Sequence, residues 1–463
     1  MKLIKIIPIF LFLFNSFPTY SQILLNDSIH SQLELGIKGF KDRYHSPSVV
    51  LVVVSRDSII FSGSEGFIDM EKKIPATLDS KYQIQSITKM FTATLLMNLV
   101  EKGIFKMDDD VRFSVPEFLG LNTNGKPEPV TYFELAAHLS GLPRNSPSEI
   151  DFLKKTELFL LKNKNLRSIR ASNKEDFLRA LSKIKAEFPK YDFLPMDQRH
   201  YSNVGYAILG LAIERATKKS YEELVLSNIC EPLSLQNTGI GTISTNNNKI
   251  ATGYKFIEKD KIFVPVPEFY ANSTIPASGM YSTGRDLARF ICSQFDNKNP
   301  VFSNNTIRKM QSLGIGWQRK HPFLMHEGAM LGFRCEIVIH PELEIGWVIL
   351  TNTTDFEFDR FNNYIASLVI PPFVEKPITD KNSYVGIYKL SGGNDNFEII
   401  LKEGELFTNY LGDEFPDSNL KFSGNNSLIL TSNQGLELNF QFKSDRKGSI
   451  KYLKLNQLLW EKQ

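Results

Sequence analysis

Cysteine is scarce in this chain, and what there is cannot build a framework. Cys230, Cys292 and Cys335 are an odd number, so one pair could form at most. Cys292 sits in an apolar helical run and Cys335 in a strand-like run, settings that favour buried free thiols over a cysteine nucleophile. Histidine is sparse too. The seven histidines are scattered, and no Cys/His or His/carboxylate cluster has metal-ligand spacing, which argues against zinc hydrolysis and calls for no metal. Charge of one sign is not in excess either: a net +3 over 463 residues gives no global case for nucleic acid. There is no fixed-period repeat and no low-complexity tract. The N-terminal apolar run, Ile6 to Phe14, falls short of the roughly 20 residues a membrane helix needs.

What remains is an ordinary globular composition, 42% hydrophobic and 23% charged, so function must be read from a site. The chain is too long for one core and is expected to form two or three units. Met1-Lys2-Leu3-Ile4-Lys5, the apolar run and the small polar residues ending Thr19-Tyr20-Ser21 have the three-part form of a secretory signal peptide. Residues 1–21 are therefore expected to be removed, with an uncleaved anchor as the alternative. The product would be exported, periplasmic or secreted. No cysteine lies at the junction to take a lipid.

Periodicity predicts a helix over His30 to Phe40, then a hairpin of Val49 to Val54 and Ser58 to Phe61 around Arg56-Asp57. Ser86 opens a helical pattern through Phe91, Leu95, Leu96 and Leu99 that Gly103 can end. Thr131 with Glu134 has the form of a capping box, Asn203 to Lys218 reads as a helix, and Thr283 with Asp286 reads as another N-cap. Two strands follow, Phe333 to His340 and Ile345 to Thr351. Strand, many helices, then strand again implies a sheet on which the two ends of the segment meet around a helical insertion. The boundaries expected are 22–372 for this domain and 378–463 for a small all-β unit, barrel or sandwich. The latter shows alternating runs at Tyr384 to Leu390, Phe397 to Leu401, Leu428 to Thr431, Leu436 to Phe442 and Tyr452 to Leu458.

Three motifs carry chemistry: Ser86-Ile87-Thr88-Lys89, Tyr201-Ser202-Asn203 and His326-Glu327-Gly328. None is decisive alone. Ser-x-x-Lys recurs at Ser182 to Lys185 and Ser444 to Lys447, and Tyr-x-Asn at Tyr270 to Asn272. Residues three apart on a helix share a face, so Lys89 can reach the Ser86 hydroxyl, a poor nucleophile until its proton is removed. A helix start adds free N–H groups and partial positive charge, which favour an oxyanion. The plain alternative is a helix cap followed by a solvated lysine. Tyr201 offers a phenol as proton relay and Asn203 an amide to orient lysine and substrate; the plain alternative is a core tyrosine with an N-capping asparagine. His326 and Gly328 before a β-run place a polar side chain and a close-approach glycine beside a substrate, unless they form an ordinary turn.

Linked blocks choose among these. "SITKMFTATLLMNLVEKG", "HLSGLP", "YSNVGYAILGLAIE", "PASGMYSTGRDLARF" and "HEGAMLGFRCEIVIHPE" occur in that order, and with the motifs they make the chain, from Ile29 to Pro371, resemble the serine β-lactamase and penicillin-binding-protein superfamily. The resemblance is to its class C-like, D-aminopeptidase and esterase branch. It implies an α+β fold, an antiparallel sheet flanked by helices plus an α-helical lobe, with a small C-terminal lipocalin-like β domain. By the same resemblance Ser86 would accept the acyl group, Lys89 would accept its proton, and Tyr201 would act as base or relay. Asn203 would bind Lys89 and a substrate carbonyl, and His326 would stand where lactamases carry a lysine. The N–H groups of Ser86 and Ala329, beside Gly328, would form the oxyanion hole, and no cofactor is needed. Which residue is the base in Ser-x-x-Lys enzymes is disputed.

Dedicated lactamases of this group usually have Lys-Thr/Ser-Gly as the third motif. A neutral histidine anchors an anion weakly, and Glu327, if it faced the cleft, would repel a carboxylate. An ester, amide or D-amino-acid peptide, a small-molecule or peptide substrate, is therefore expected over a β-lactam. The alternatives are a non-catalytic penicillin-binding-like interaction module, or a true β-lactamase or DD-carboxypeptidase. Pro195 to His200 replaces the usual Gly-containing approach to Tyr-x-Asn. Lys154 to Lys190, with eight Lys and three Arg against four acidic residues, could contact a cell-wall polymer or simply be a solvated face.

Overall fold

The structure is a computed structural model describing residues 25–146, 150, 154, 174–191, 194–241, 250–266, 274–295, 299–373, 380–391, 393, 395–410, 418–424, 426–431, 437–444, 449–455 and 458–463. The chain divides into two compact units, Met1–Ile370 and Pro371–Gln463.

The first unit is built on a seven-stranded antiparallel sheet in the order Ile74–Pro75, Ser58–Asp69, Ser48–Ser55, Ile345–Thr351, Phe333–His340, Phe323–Met330, Gln318–Lys320. Ser48–Ser55 pairs with Ile345–Thr351 from Val49 opposite Thr351 to Ser55 opposite Ile345, so the ends of the segment do meet at the centre of the sheet. Every residue of these two strands is buried, because helices cover both faces. Leu51 pairs with Gly63, and the space a Gly63 Cβ would need is filled by Ile37 of the helix Asp27–Arg43. The alternate residues Val50 and Val52 lie under Gly284, which opens the helix Gly284–Cys292 on the other face.

The helical lobe centres on Thr88–Glu101, buried continuously from Thr88 to Leu99, as befits a helix that is apolar all round. It packs against Asn203–Thr217 and the short helix Ile275–Ser278. The capping box at Thr131 and Glu134 forms in full, opening only the five-residue helix Tyr132–Ala136. Thr283 caps its helix through the Asp286 N–H, and Gly103 follows the Ser86 helix with φ +74°. Asn203 does not cap: Ser202 does, accepting from the Gly205 N–H at 2.9 Å, and Asn203 is the first residue of the helix. That frees its side chain for other work. The three cysteines are free thiols, and burial pushes each of them up to about 12. Among the described residues, no helix is long and apolar enough to cross a membrane.

The second unit is a closed barrel of eight antiparallel strands, Gly386–Leu390, Asn396–Lys402, Glu405–Thr408, Ser418–Gly424, Ser427–Thr431, Glu437–Ser444, Ile450–Leu455 and Leu458–Lys462. Inward residues alternate along each strand and fill it, with Tyr388, Phe397, Phe440, Phe442 and Trp460 among them. Closure removes every free edge, the reason a barrel suits strands this short. Two of them, Glu405–Thr408 and Ser418–Gly424, carry no run singled out in the sequence, and Leu458–Lys462 holds only the last residue of one.

Candidate active site

Ser86 lies in a turn of 3₁₀-helix, Gln85–Ile87, that feeds directly into Thr88–Glu101. Gln85 is buried and has φ +48°, a left-handed conformation that costs energy in a non-glycine residue and marks a turn held by its surroundings. Ile84 donates its N–H to the Met280 carbonyl at 3.1 Å, and Gly328 lies against the Ile84 carbonyl so closely that a Cβ there would be 2.1 Å from the oxygen. The glycine of the third motif is thus required by backbone approach.

One turn on, Lys89 is completely buried. Its Nζ is 3.2 Å from Ser86 Oγ, 2.7 Å from Asn203 Oδ1 and 2.8 Å from the Ala277 carbonyl. The two carbonyl-type oxygens account for both hydrogens of a neutral amine, whose lone pair would then face the Ser86 hydroxyl; in the ammonium form the third hydrogen is donated to Ser86. The same amine stands 4.7 Å from the centre of the Tyr201 ring. Asn203 is oriented from its other end, donating from Nδ2 to Asn145 Oδ1 at 2.6 Å, while its backbone N–H binds the Arg144 carbonyl at 2.8 Å. This contact was not foreseen. The "HLSGLP" block ends just before Asn145, and its neighbourhood was the only signal in the sequence.

Tyr201 is set between rings and cations. His138 lies 4.6 Å away and His326 6.2 Å away, centre to centre, and the Arg144 guanidinium stands 5.0 Å over its face. His138 accepts the Ser202 N–H on Nδ1 at 3.1 Å, so it fixes the backbone next to Tyr201. Burial and the nearby Lys89 hold His138 well below the usual imidazole range. The approach Pro195 to His200 is anchored by Arg199, which donates to the carbonyls of Leu194, Leu313 and Ala137 at 2.9, 2.7 and 3.3 Å. His200 stacks flat on Phe188 at 3.6 Å.

His326 and Gly328 point to the site face of the strand Phe323–Met330, and Glu327 points away from it. His326 is 2% exposed; burial, then the Lys89 charge, pushes it down to about 3, so it is a neutral ring at neutral pH. Its Nδ1 is 2.9 Å from the Glu327 carbonyl. Glu327 is not a charge in the cleft: Arg334 grips its carboxylate with two nitrogens at 2.7 Å. The expected repulsion of a substrate carboxylate by Glu327 is therefore corrected, since strand alternation turns that side chain away and an arginine neutralises it. Gln318–Lys320 pairs only with Phe323 to Met325, so among the described residues the outer edge from His326 to Met330 has no strand neighbour. Ala329 on this edge is exposed.

The structure thus brings Ser86, Lys89, Tyr201, Asn203, His326 and Gly328 together. The recurrences lie elsewhere: Ser182 is exposed on the turn Leu181–Lys183, Ser444 ends a barrel strand, and Tyr270 to Asn272 are outside the described residues. Most of the basic stretch also lies outside them; of its described members, Lys190 is bound to Glu134 at 2.7 Å and Lys174 to Glu214 at 2.6 Å. No group of residues able to hold a metal is found among the described residues.

Residues 35–369 match the family model described as Beta-lactamase. Protein flp of Staphylococcus aureus (strain N315) is 27% identical over 342 residues, covering 71% of this chain and 64% of that protein, so the chain spans less than two thirds of this relative. The octameric penicillin-binding protein homologue from Pyrococcus abyssi superposes with a TM-score of 0.62 at 21% identity, covering 93% of this chain and 99% of the other. EstCE1, a hydrolase with promiscuous acyltransferase activity, gives 0.60 at 18% identity over 74% of this chain and 98% of its own. At such identities these two likenesses concern the fold.

Proposed function

The chain belongs to the beta-lactamase family, and from that premise we propose that it is a serine hydrolase whose nucleophile is Ser86 and whose substrate is an ester, an amide or a D-amino-acid peptide. The observation that carries this reading is the position of Lys89 Nζ, 3.2 Å from Ser86 Oγ and tied behind to Asn203 and the Ala277 carbonyl.

Ser86 Oγ attacks the substrate carbonyl carbon, and its proton passes to Lys89 or Tyr201. The bond from that carbon to the leaving oxygen or nitrogen breaks, and the leaving group takes the proton, delivered by Lys89 or Tyr201. Water then attacks the Ser86 ester, releasing the acid and restoring the hydroxyl. The N–H groups of Ser86 and Ala329 would stabilise the oxyanion in both steps. Export with cleavage near Ser21, and contact of the basic stretch with a cell-wall polymer, belong to the same proposal and rest on sequence.

A fluorophosphonate probe tests the reading. Labelling of the wild type that is lost in Ser86→Ala, with p-nitrophenyl ester turnover lost alongside, supports it. A folded wild type that takes no label would make the chain a non-catalytic binding module instead.

A further inference from the structure

Ser202 opens the helix Asn203–Thr217 as its cap, so the helix offers no acceptor to the Ser202 N–H, although the residue is completely buried. His138 supplies the acceptor, Nδ1 at 3.1 Å. A ring nitrogen that accepts an N–H carries no proton, which puts the proton of the neutral imidazole on Nε2. Burial, then the charge on Lys89, keeps the ring in that neutral form. The histidine is itself held: its ring lies 5.1 Å from that of Tyr206, whose hydroxyl donates to the Ala136 carbonyl at 2.7 Å. Its backbone has φ +58°, a left-handed conformation that a non-glycine residue keeps only where its surroundings fix it.

We propose that His138 is a positioning residue for Tyr201, holding the phenol in register with Lys89 so that Tyr201 passes a proton to the leaving atom. This rests on the hydrolase reading given above, and it assigns to Tyr201 the delivery step that reading shares with Lys89. The Ser202 N–H belongs to the peptide plane that joins Tyr201 to Ser202, so the bond to Nδ1 fixes that plane. The Ser202 hydroxyl is engaged as well: it donates to the Pro143 carbonyl at 2.7 Å and accepts the Gly205 N–H at 2.9 Å. The Tyr201 ring then meets the His138 ring at 4.6 Å and the Lys89 amine at 4.7 Å. One side chain thus restrains both the backbone and the ring of Tyr201, and a misplacement of about 1 Å in such a group costs on the order of 100-fold in rate.

Ethyl and p-nitrophenyl esters of one acyl group test this. Nitrophenolate leaves as a stable anion, whereas ethoxide must take a proton as the bond breaks, so only the ethyl ester depends fully on proton delivery. His138→Gly fits the left-handed backbone but has no acceptor, while His138→Asn tolerates the same backbone and offers its amide oxygen to the Ser202 N–H. The glycine variant is expected to lose about 100-fold in kcat/KM on the ethyl ester and less than about tenfold on the nitrophenyl ester, and the asparagine variant to stay within about threefold of the wild type on both. His138→Leu fills the space without an acceptor and gives the same reading should the glycine variant melt below the assay temperature. In a Tyr201→Phe background the same substitution should cost less than about threefold, because the histidine acts through the phenol. Equal losses on both esters overturn the inference, since His138 would then serve the cleft as a whole, and so does an asparagine variant as impaired as the glycine one. A folded glycine or leucine variant with wild-type turnover of both esters overturns it too and leaves the hydrolase reading standing. A wild type that cleaves neither ester and takes no fluorophosphonate label overturns both readings together.

Discussion

Gly328 and Ile84 touch backbone to backbone: a Cβ on the glycine would lie 2.1 Å from the Ile84 carbonyl oxygen. That contact joins the strand of the third motif to the turn that presents Ser86, two residues later. Oxygen and carbon cannot be so close, and neither partner is the far end of a flexible side chain, so the strand or the turn must shift. Gly328→Ala is expected to cost about 1–3 kcal/mol of stability. It should also lower fluorophosphonate labelling of Ser86 at least tenfold at temperatures where the protein stays folded. Thermal melting and the labelling rate, measured on the same preparation, check both.

Asn203 is useful to Lys89 only while its oxygen faces the amine, and Asn145 decides that by taking the nitrogen end. Asn145→Ala leaves the amide free to turn over, which would set an N–H₂ group against the Lys89 amine. Turnover is expected to fall about tenfold, the size of a misplaced orienting group, while Asn203→Ala should cost more. A loss in kcat of about tenfold for Asn145→Ala and a larger one for Asn203→Ala, with unchanged melting temperatures, would bear this out. An Asn145→Ala enzyme as active as the wild type would remove Asn145 from the site.

The residues that the structure brings together at the candidate site were legible, because Ser86 and Lys89, Tyr201 and Asn203, and His326 and Gly328 lie at fixed short spacings within recognisable blocks. Their backbone partners were not. The Ala277 carbonyl that binds Lys89 could belong to any residue type, so no spacing rule selects it. The role of Asn203 was half legible: the amide toward lysine was expected, but the cap is Ser202. The direction of Glu327 was left open, because its partner Arg334 sits on the next strand, opposite Ala329, and only register reveals the pair. In the barrel, the hairpin into Glu405–Thr408 turns on Glu403-Gly404, both with positive φ. That Gly-containing dipeptide is a hairpin signal, outweighed by the shortness of the strand it opens.

His326 is expected to weaken the fold in acid. Its folded value, about 3, lies below the 6.5 of an unfolded histidine, so between these values the unfolded chain binds the extra proton. Stability therefore falls as the pH drops from about 6.5 toward 3, by on the order of 3 kcal/mol near pH 4 for a group this deeply buried. His138, held low by burial and Lys89, acts in the same direction. Denaturant melts at pH 7 and pH 4 should show His326→Asn losing less between the two than the wild type. At pH 5 to 8 the ring stays neutral, so the labelling profile should carry no limb that His326→Asn abolishes.

Glu336 works against the fold at the other end. It is 1% exposed on the strand Phe333–His340, accepts from Asn362 Nδ2 at 2.6 Å, and burial raises it to about 8. Between the 4.5 of an unfolded glutamate and that value, the native state holds the proton that the unfolded chain has released. Stability is then lost as the pH rises from about 4.5 to 8, opposite to the histidine effect. Asn362 is itself fixed by accepting the Trp347 indole N–H at 2.8 Å, so it continues to offer its N–H to whatever occupies position 336. Glu336→Gln keeps the shape and the acceptor but has no proton to lose. It should be more stable than the wild type at pH 8 by about 1–3 kcal/mol and nearly equal to it at pH 4.5. A gain of the same size at both pH values would mean that packing around Asn362, and not the ionisation of Glu336, sets the difference.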